Sequence, residues 1–101
     1  MSPPIFPDGR SLARAREAPL RARALRVAER RGRAPRLLLL AFDEGGGGAP
    51  FLEGKLRACR ACGVEALAVV PAVGAGTAEV CRELSQALAR EDPDGVFVQF
   101  P

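Results

Sequence analysis

A single lysine, Lys55, stands in a chain whose other basic residues are all arginine. Arginine stays charged at any working pH, whereas a lysine that is desolvated or set near other cations can give up its proton and serve in proton transfer. The competing reading is a helix-surface cation whose stem covers apolar neighbours. Gly54-Lys55 follows a run of four glycines, Gly45 to Gly48, a combination that invites comparison with phosphate-binding loops, in which backbone N–H groups cradle the anion. The spacing fails: Ala49 stands where that motif needs its first glycine, and Leu56 replaces the hydroxyl residue that would hold magnesium. A flexible loop is the better reading, although such a loop at the carboxyl end of a parallel strand can border a ligand crevice. Cys59-Arg60-Ala61-Cys62 has the spacing of a redox pair or of half a metal site. Cys81 is the only other thiol, and both motif cysteines fall near the C-terminal end of a predicted helix, where the dipole disfavours a thiolate. They read as small buried apolar residues.

The missing residue types narrow the chemistry further. No histidine, tyrosine or tryptophan occurs, which removes imidazole acid–base catalysis and most zinc sites, and we expect no bound metal. Three cysteines, an odd number, argue against a disulfide framework and for a reducing cytoplasm. The N-terminus has no basic region followed by an apolar stretch of the kind that directs secretion, and no apolar run approaches the roughly 20 residues of a membrane span. Charge is unevenly divided. Residues 1–36 hold ten arginines against Asp8, Glu17 and Glu29, a balance of +7, while residues 37–101 carry −4. Clustered arginines could meet phosphates. They fall on several helix faces, however, without aromatic residues for base stacking, so we expect a solvated helix and no nucleic-acid partner.

With 101 residues, 48% hydrophobic and 27% charged, the chain has the composition of one globular domain. The elements that must hold Lys55 follow from periodicity. Ser11 can cap a first helix through Leu12, Ala15, Ala22, Leu25 and Ala28, broken or kinked at Pro19 and ending near Gly32. Leu37 to Phe42 is a continuous apolar run, suited to a strand covered on both faces. After the glycine loop, Leu52, Leu56 and Cys59 line one face of a second helix, with Gly63 as its left-handed cap. A strand at about Ala66 to Val70 precedes a loop, Pro71 to Gly76. Thr77 then caps a third helix, with Glu79 in its first turn and Val80, Cys81, Leu84 and Leu88 as its buried stripe. Val96 to Phe100 closes the chain as a third strand. The order α-β-α-β-α-β predicts an α/β fold: a mostly parallel sheet between helices, joined by right-handed crossovers.

Three stretches in the same order resemble one family. Phe51 to Val64 resembles Y-V-x-x-K-x-K-A-C-x-x-x-G-[IV] of methylenetetrahydrofolate dehydrogenase/methenyltetrahydrofolate cyclohydrolase, with Lys55, Ala58, Cys59, Gly63 and Val64 in register. Asp94-Gly95-Val96-Phe97-Val98-Gln99-Phe100-Pro101 resembles its D/H-G-I-L-V-Q-L-P, and Asp8-Gly9-Arg10-Ser11-Leu12-Ala13 its D-G-K-x-[IV]-A. The resemblance implies the folate-binding N-terminal catalytic domain of that family, a three-layer α-β-α, amino-acid-dehydrogenase-like fold. It implies Lys55 as the catalytic group beside the one-carbon bridge, Gln99 as the hydrogen-bonding group that orients it, and Phe51 on the folate.

The departures from the pattern are specific. Phe51 replaces a tyrosine, so its ring can stack but cannot hydrogen-bond. The family's V-G-x-[DN]-P-[AS]-S loop is here Phe42 to Gly48, without its serine or proline. The family's pterin-binding aspartate and its NADP-binding dinucleotide domain have no counterpart in residues 1–101, so the expectation is a folate-binding domain capable at most of cyclohydrolase chemistry, with NADP implied by the family but no cofactor bound by this domain. The alternative is a non-catalytic stand-alone homologue acting as a binding or structural module. Either way a homo-oligomer, a dimer, is expected, because apolar surface would otherwise lie uncovered.

Overall fold

The computed structural model describes residues 8–42 and 48–99, and of residues 48–51 the backbone. The elements are α1 (Gly9–Arg31), β1 (Arg36–Ala41), α2 (Gly48–Ala61), β2 (Glu65–Val69), α3 (Thr77–Glu91) and β3 (Gly95–Gln99), in the predicted order. The strands form one parallel sheet, β2-β1-β3, with Leu37 to Leu40 paired to Ala66 to Val69 on one side and to Gly95 to Val98 on the other. A central strand in such a sheet loses water from both faces, and Leu38, Leu39 and Leu40 are each no more than 3% exposed. The crossovers β1–α2–β2 and β2–α3–β3 run in opposite directions across the sheet. With right-handed connections they set α2 and α3 on opposite faces, giving three layers.

Helix ends differ from the sequence expectation where a stronger local bond was available. Asp8, not Ser11, caps α1: its carboxylate accepts the Arg10 N–H at 3.1 Å and the Ser11 hydroxyl at 2.7 Å. That pairing with Ser11 holds the Asp8 carboxyl below its ordinary range, and a negative cap also meets the positive end of the helix. Pro19 does not interrupt α1, which is helical from Gly9 to Arg31. Arg21, two residues on, bonds Glu17 at 2.7 Å and the Ala61 carbonyl of α2 at 2.8 Å, tying the helix on either side of the proline. Gly32 ends the helix at φ 78°.

At the end of α2, Gly63 adopts φ +75° as expected, and two bonds complete the cap. The Val64 N–H donates to the Cys59 carbonyl at 2.9 Å and the Gly63 N–H to that of Arg60 at 3.1 Å, the paired pattern of a Schellman motif. α3 begins one residue earlier than expected, since Gly76 occupies the cap position with no side-chain bond and Thr77 is already helical. Its buried stripe also turns. Ala87 is 1% exposed, Cys81 is exposed and Leu88 is 38% exposed. The face against the sheet therefore runs Val80, Leu84, Ala87, Glu91, with the small Ala87 allowing close approach.

The amino-terminal end of the sheet is held by a charged clamp. Asp94 and Arg36 exchange two bonds: the Asp94 carboxylate accepts the Arg36 N–H at 2.8 Å, and the Asp94 N–H donates to the Arg36 carbonyl at 2.8 Å. Arg31 of α1 reaches the same carboxylate at 2.5 Å, with Arg33 at 3.5 Å. The Arg36 guanidinium donates to the Glu91 carbonyl at the end of α3 and lies 3.3 Å from the Glu65 carboxylate at the start of β2. The Arg31 bond first, and then the Arg36 N–H, depress the Asp94 pKa. A depressed carboxylate contributes stability that is complete above the unfolded value of about 3.9 and is lost as pH falls through the folded one. Asp94→Asn should therefore melt below the wild type at pH 7, and the gap should close in acid once both chains are uncharged there. Thermal melts across that range check this, and a gap independent of pH would contradict it.

Candidate active site

Lys55 sits on the inner shoulder of α2. Leu52, Leu56 and Cys59, partly buried, mark the face this helix turns to the sheet, and Lys55, also partly buried, lies three residues from Leu52 beside that stripe. Its stem can cover apolar surface while its ammonium group reaches past the helix. That group lies over the Phe97 ring of β3, with Nζ 5.8 Å from the centroid, within the range of a cation–π contact.

The sheet register decides what else faces Lys55. Phe97 pairs with Leu39 and Gln99 with Ala41, and residues two apart on a strand point to the same side. Gln99 therefore projects from the face that carries Phe97, one step nearer the carboxyl end, while Val96 and Val98 face the other way. On the same face Leu39 pairs with Ala68, and Gly95 lies against Leu37, where an added Cβ would stand 3.5 Å from a leucine methyl. Small residues around the Phe97 row leave room beside its ring.

Of the residues marked in the sequence, Lys55 and Gln99 thus come to one face. Phe51 lies four residues before Lys55 in α2, one helical turn away, and its side chain falls outside the described residues. So do Asp43 to Gly47, which include most of the glycine run; the helix itself begins at Gly48, within the stretch expected to be loop. Phe97 was not singled out from sequence. Its signal was the alternation of β3, which links residue 97 to residue 99 once the strand is assigned.

The remaining motifs resolve as structure. Cys59 and Cys62 are partly buried and all three cysteines are free. Burial, and then the neighbouring Cys62, raise the Cys59 pKa, so the thiolate needed for redox chemistry or metal ligation is disfavoured. Among the described residues no group of three or more metal-binding side chains occurs. Arginines of the basic half are in part internal counterions, since Arg31, Arg33 and Arg36 meet Asp94, Asp92 and Glu65. No described helix is long and apolar enough to cross a membrane.

The turn from β2 into α3 does not suit the pyrophosphate of a nicotinamide dinucleotide. That turn carries Gly74 and Gly76, but Glu79 occupies the first turn of the helix. A carboxylate there opposes the pyrophosphate that such a turn would need to hold at the helix N-terminus.

Comparison with known proteins agrees with this architecture, although no family model matches the chain. The bifunctional protein FolD 2 of Acinetobacter baylyi is 30% identical over 94 residues, 93% of this chain and 33% of that protein. The bifunctional protein FolD of Acinetobacter baumannii is 29% identical over the same shares. Among solved structures, the FolD methylenetetrahydrofolate dehydrogenase-cyclohydrolase of Trypanosoma brucei, complexed with NADP cofactor and inhibitor, covers the whole chain with a TM-score of 0.84 at 24% identity, over 34% of its own length. The last comparison carries fold, and the first two carry sequence over nearly all of these residues. The chain is a partial FolD-like domain, spanning about a third of the length of the curated relatives it matches.

Proposed function

We propose that this domain binds a folate derivative on the α2 side of its sheet and promotes hydrolysis of a methenyl bridge, within one-carbon metabolism. The observation that carries the reading is the placement of the only lysine above β3, on the face from which Gln99 projects. The electrophile in a methenyl bridge is a carbon shared by two nitrogens. Water adds to it, a proton leaves the water, and one carbon–nitrogen bond breaks to give a formyl group. Lys55 is the group that moves the proton, and Gln99 fixes the direction of its amine by hydrogen bonding. Phe51 supplies an aromatic face for the folate. General acid–base assistance of this kind contributes about 10²–10⁴ in rate.

Hydride transfer is assigned to none of the described residues in this proposal, because the turn from β2 into α3 does not suit a dinucleotide. Phe51, lacking the hydroxyl of the family pattern, favours a second reading in which the domain binds folate without turning it over. One experiment separates the two. Following the loss of methenyltetrahydrofolate absorbance, with binding measured in parallel, should show turnover and saturable binding, and Lys55→Ala should reduce turnover at least about 100-fold. Binding without turnover in the wild type would establish the second reading; absence of binding at millimolar folate would defeat both.

The domain also acts, in this proposal, as a cytoplasmic homodimer. Leu12, Leu20 and Leu25 of α1, Val70 and Val73 after β2, and Val96 of β3 are all at least 43% exposed. The radius of gyration, 16.6 Å, exceeds the roughly 13 Å of a compact chain of this size, so self-association has surface to cover. Sedimentation should show a dimer at micromolar protein, and a monomer at high concentration would refute it.

A further inference from the structure

Phe97 is 46% exposed on an edge strand, an unusual position for a large aromatic side chain with no buried role. The family pattern that β3 resembles has leucine there. We infer that Phe97 is a positioning residue for Lys55, holding its ammonium group over β3 on the face of Gln99. The ring presents a face of negative potential on a strand whose register is set by the pairing of Phe97 with Leu39, while the lysine ammonium rides on a flexible four-carbon stem.

A cation above an aromatic face at a partly exposed site gains enough to favour that rotamer roughly two- to fivefold. Leucine offers similar apolar cover but no such face. The ring also cannot accept a proton from the amine, so it restrains the group without competing for its chemistry as a carboxylate would. The catalytic consequence rests on the folate reading; the contact itself does not.

Because Lys55 is the only lysine, growth on 13C-labelled lysine places a single labelled side chain in the protein. Its ε-methylene proton signal, recorded without ligand, should lie upfield of the free-lysine position through the ring current of Phe97. Phe97→Leu should return it toward the free position, and Phe97→Tyr, which keeps a ring, should retain the displacement. Backbone spectra of all three chains should superimpose, which separates loss of the contact from loss of the fold. In methenyltetrahydrofolate hydrolysis Phe97→Leu should lower kcat about two- to fivefold with little change in KM, and Phe97→Tyr should restore it. A wild-type lysine signal at the free position, or one unmoved by Phe97→Leu, would overturn the inference. Absence of hydrolysis with the lysine signal displaced as expected would count against the proposed activity and leave the positioning contact standing.

Discussion

The reciprocal bonds between Asp94 and Arg36 set which side of β3 faces α2. Strand side chains alternate with a period of two, so a slip of one residue between β1 and β3 would turn Phe97 and Gln99 to the α3 side and bring Val96 and Val98 beneath Lys55. The clamp prevents that slip by fixing the start of β3 against the start of β1, and Arg31 and Arg33 hold the same carboxylate from the end of α1 and the turn after it. The ends of the sheet are thereby separated in kind. Charged groups lock the amino-terminal end, and the lysine, the aromatic ring and the glutamine gather toward the other.

That separation gives a physical meaning to the lopsided charge. The arginines at the end of α1, in the turn after it and at the start of β1 answer acidic residues contributed by β2 and the turn from α3 into β3, so the two halves of the chain are partners within one fold. Pairs of this kind are partly exposed and individually weak. Their value here is positional, since Asp94 joins three segments at one carboxylate. The leucines of β1 supply the burial, and the clamp supplies the register.

Much of this was legible in the residues. The apolar run of β1, the glycine at position 63 and the element order are dictated by burial and by backbone conformation, and those act locally enough to read. Lys55 and Gln99 were proposed from the pattern around them, and the strand register places Gln99 on the face that carries Phe97. The cap of α1 was misplaced because Ser11 and Asp8 are both good caps, and only the structure shows the hydroxyl donating to the carboxylate. The uninterrupted run of α1 through Pro19 was not legible because the ties that Arg21 makes to Glu17 and Ala61 are, in part, tertiary. Phe97 was overlooked because its importance depends on the distance between a helix and a strand 42 residues apart in sequence, which no local rule encodes.

The account reduces to a claim about place: a folate derivative occupies the face shared by Lys55, Phe97 and Gln99. Titrating methenyltetrahydrofolate or a hydrolysis-resistant analogue into protein labelled only at lysine tests it directly, through contacts between ligand protons and the Lys55 side chain in nuclear Overhauser spectra. The account predicts such contacts, with saturable movement of the Lys55 signal. Saturable ligand binding with no contact to Lys55 would contradict it.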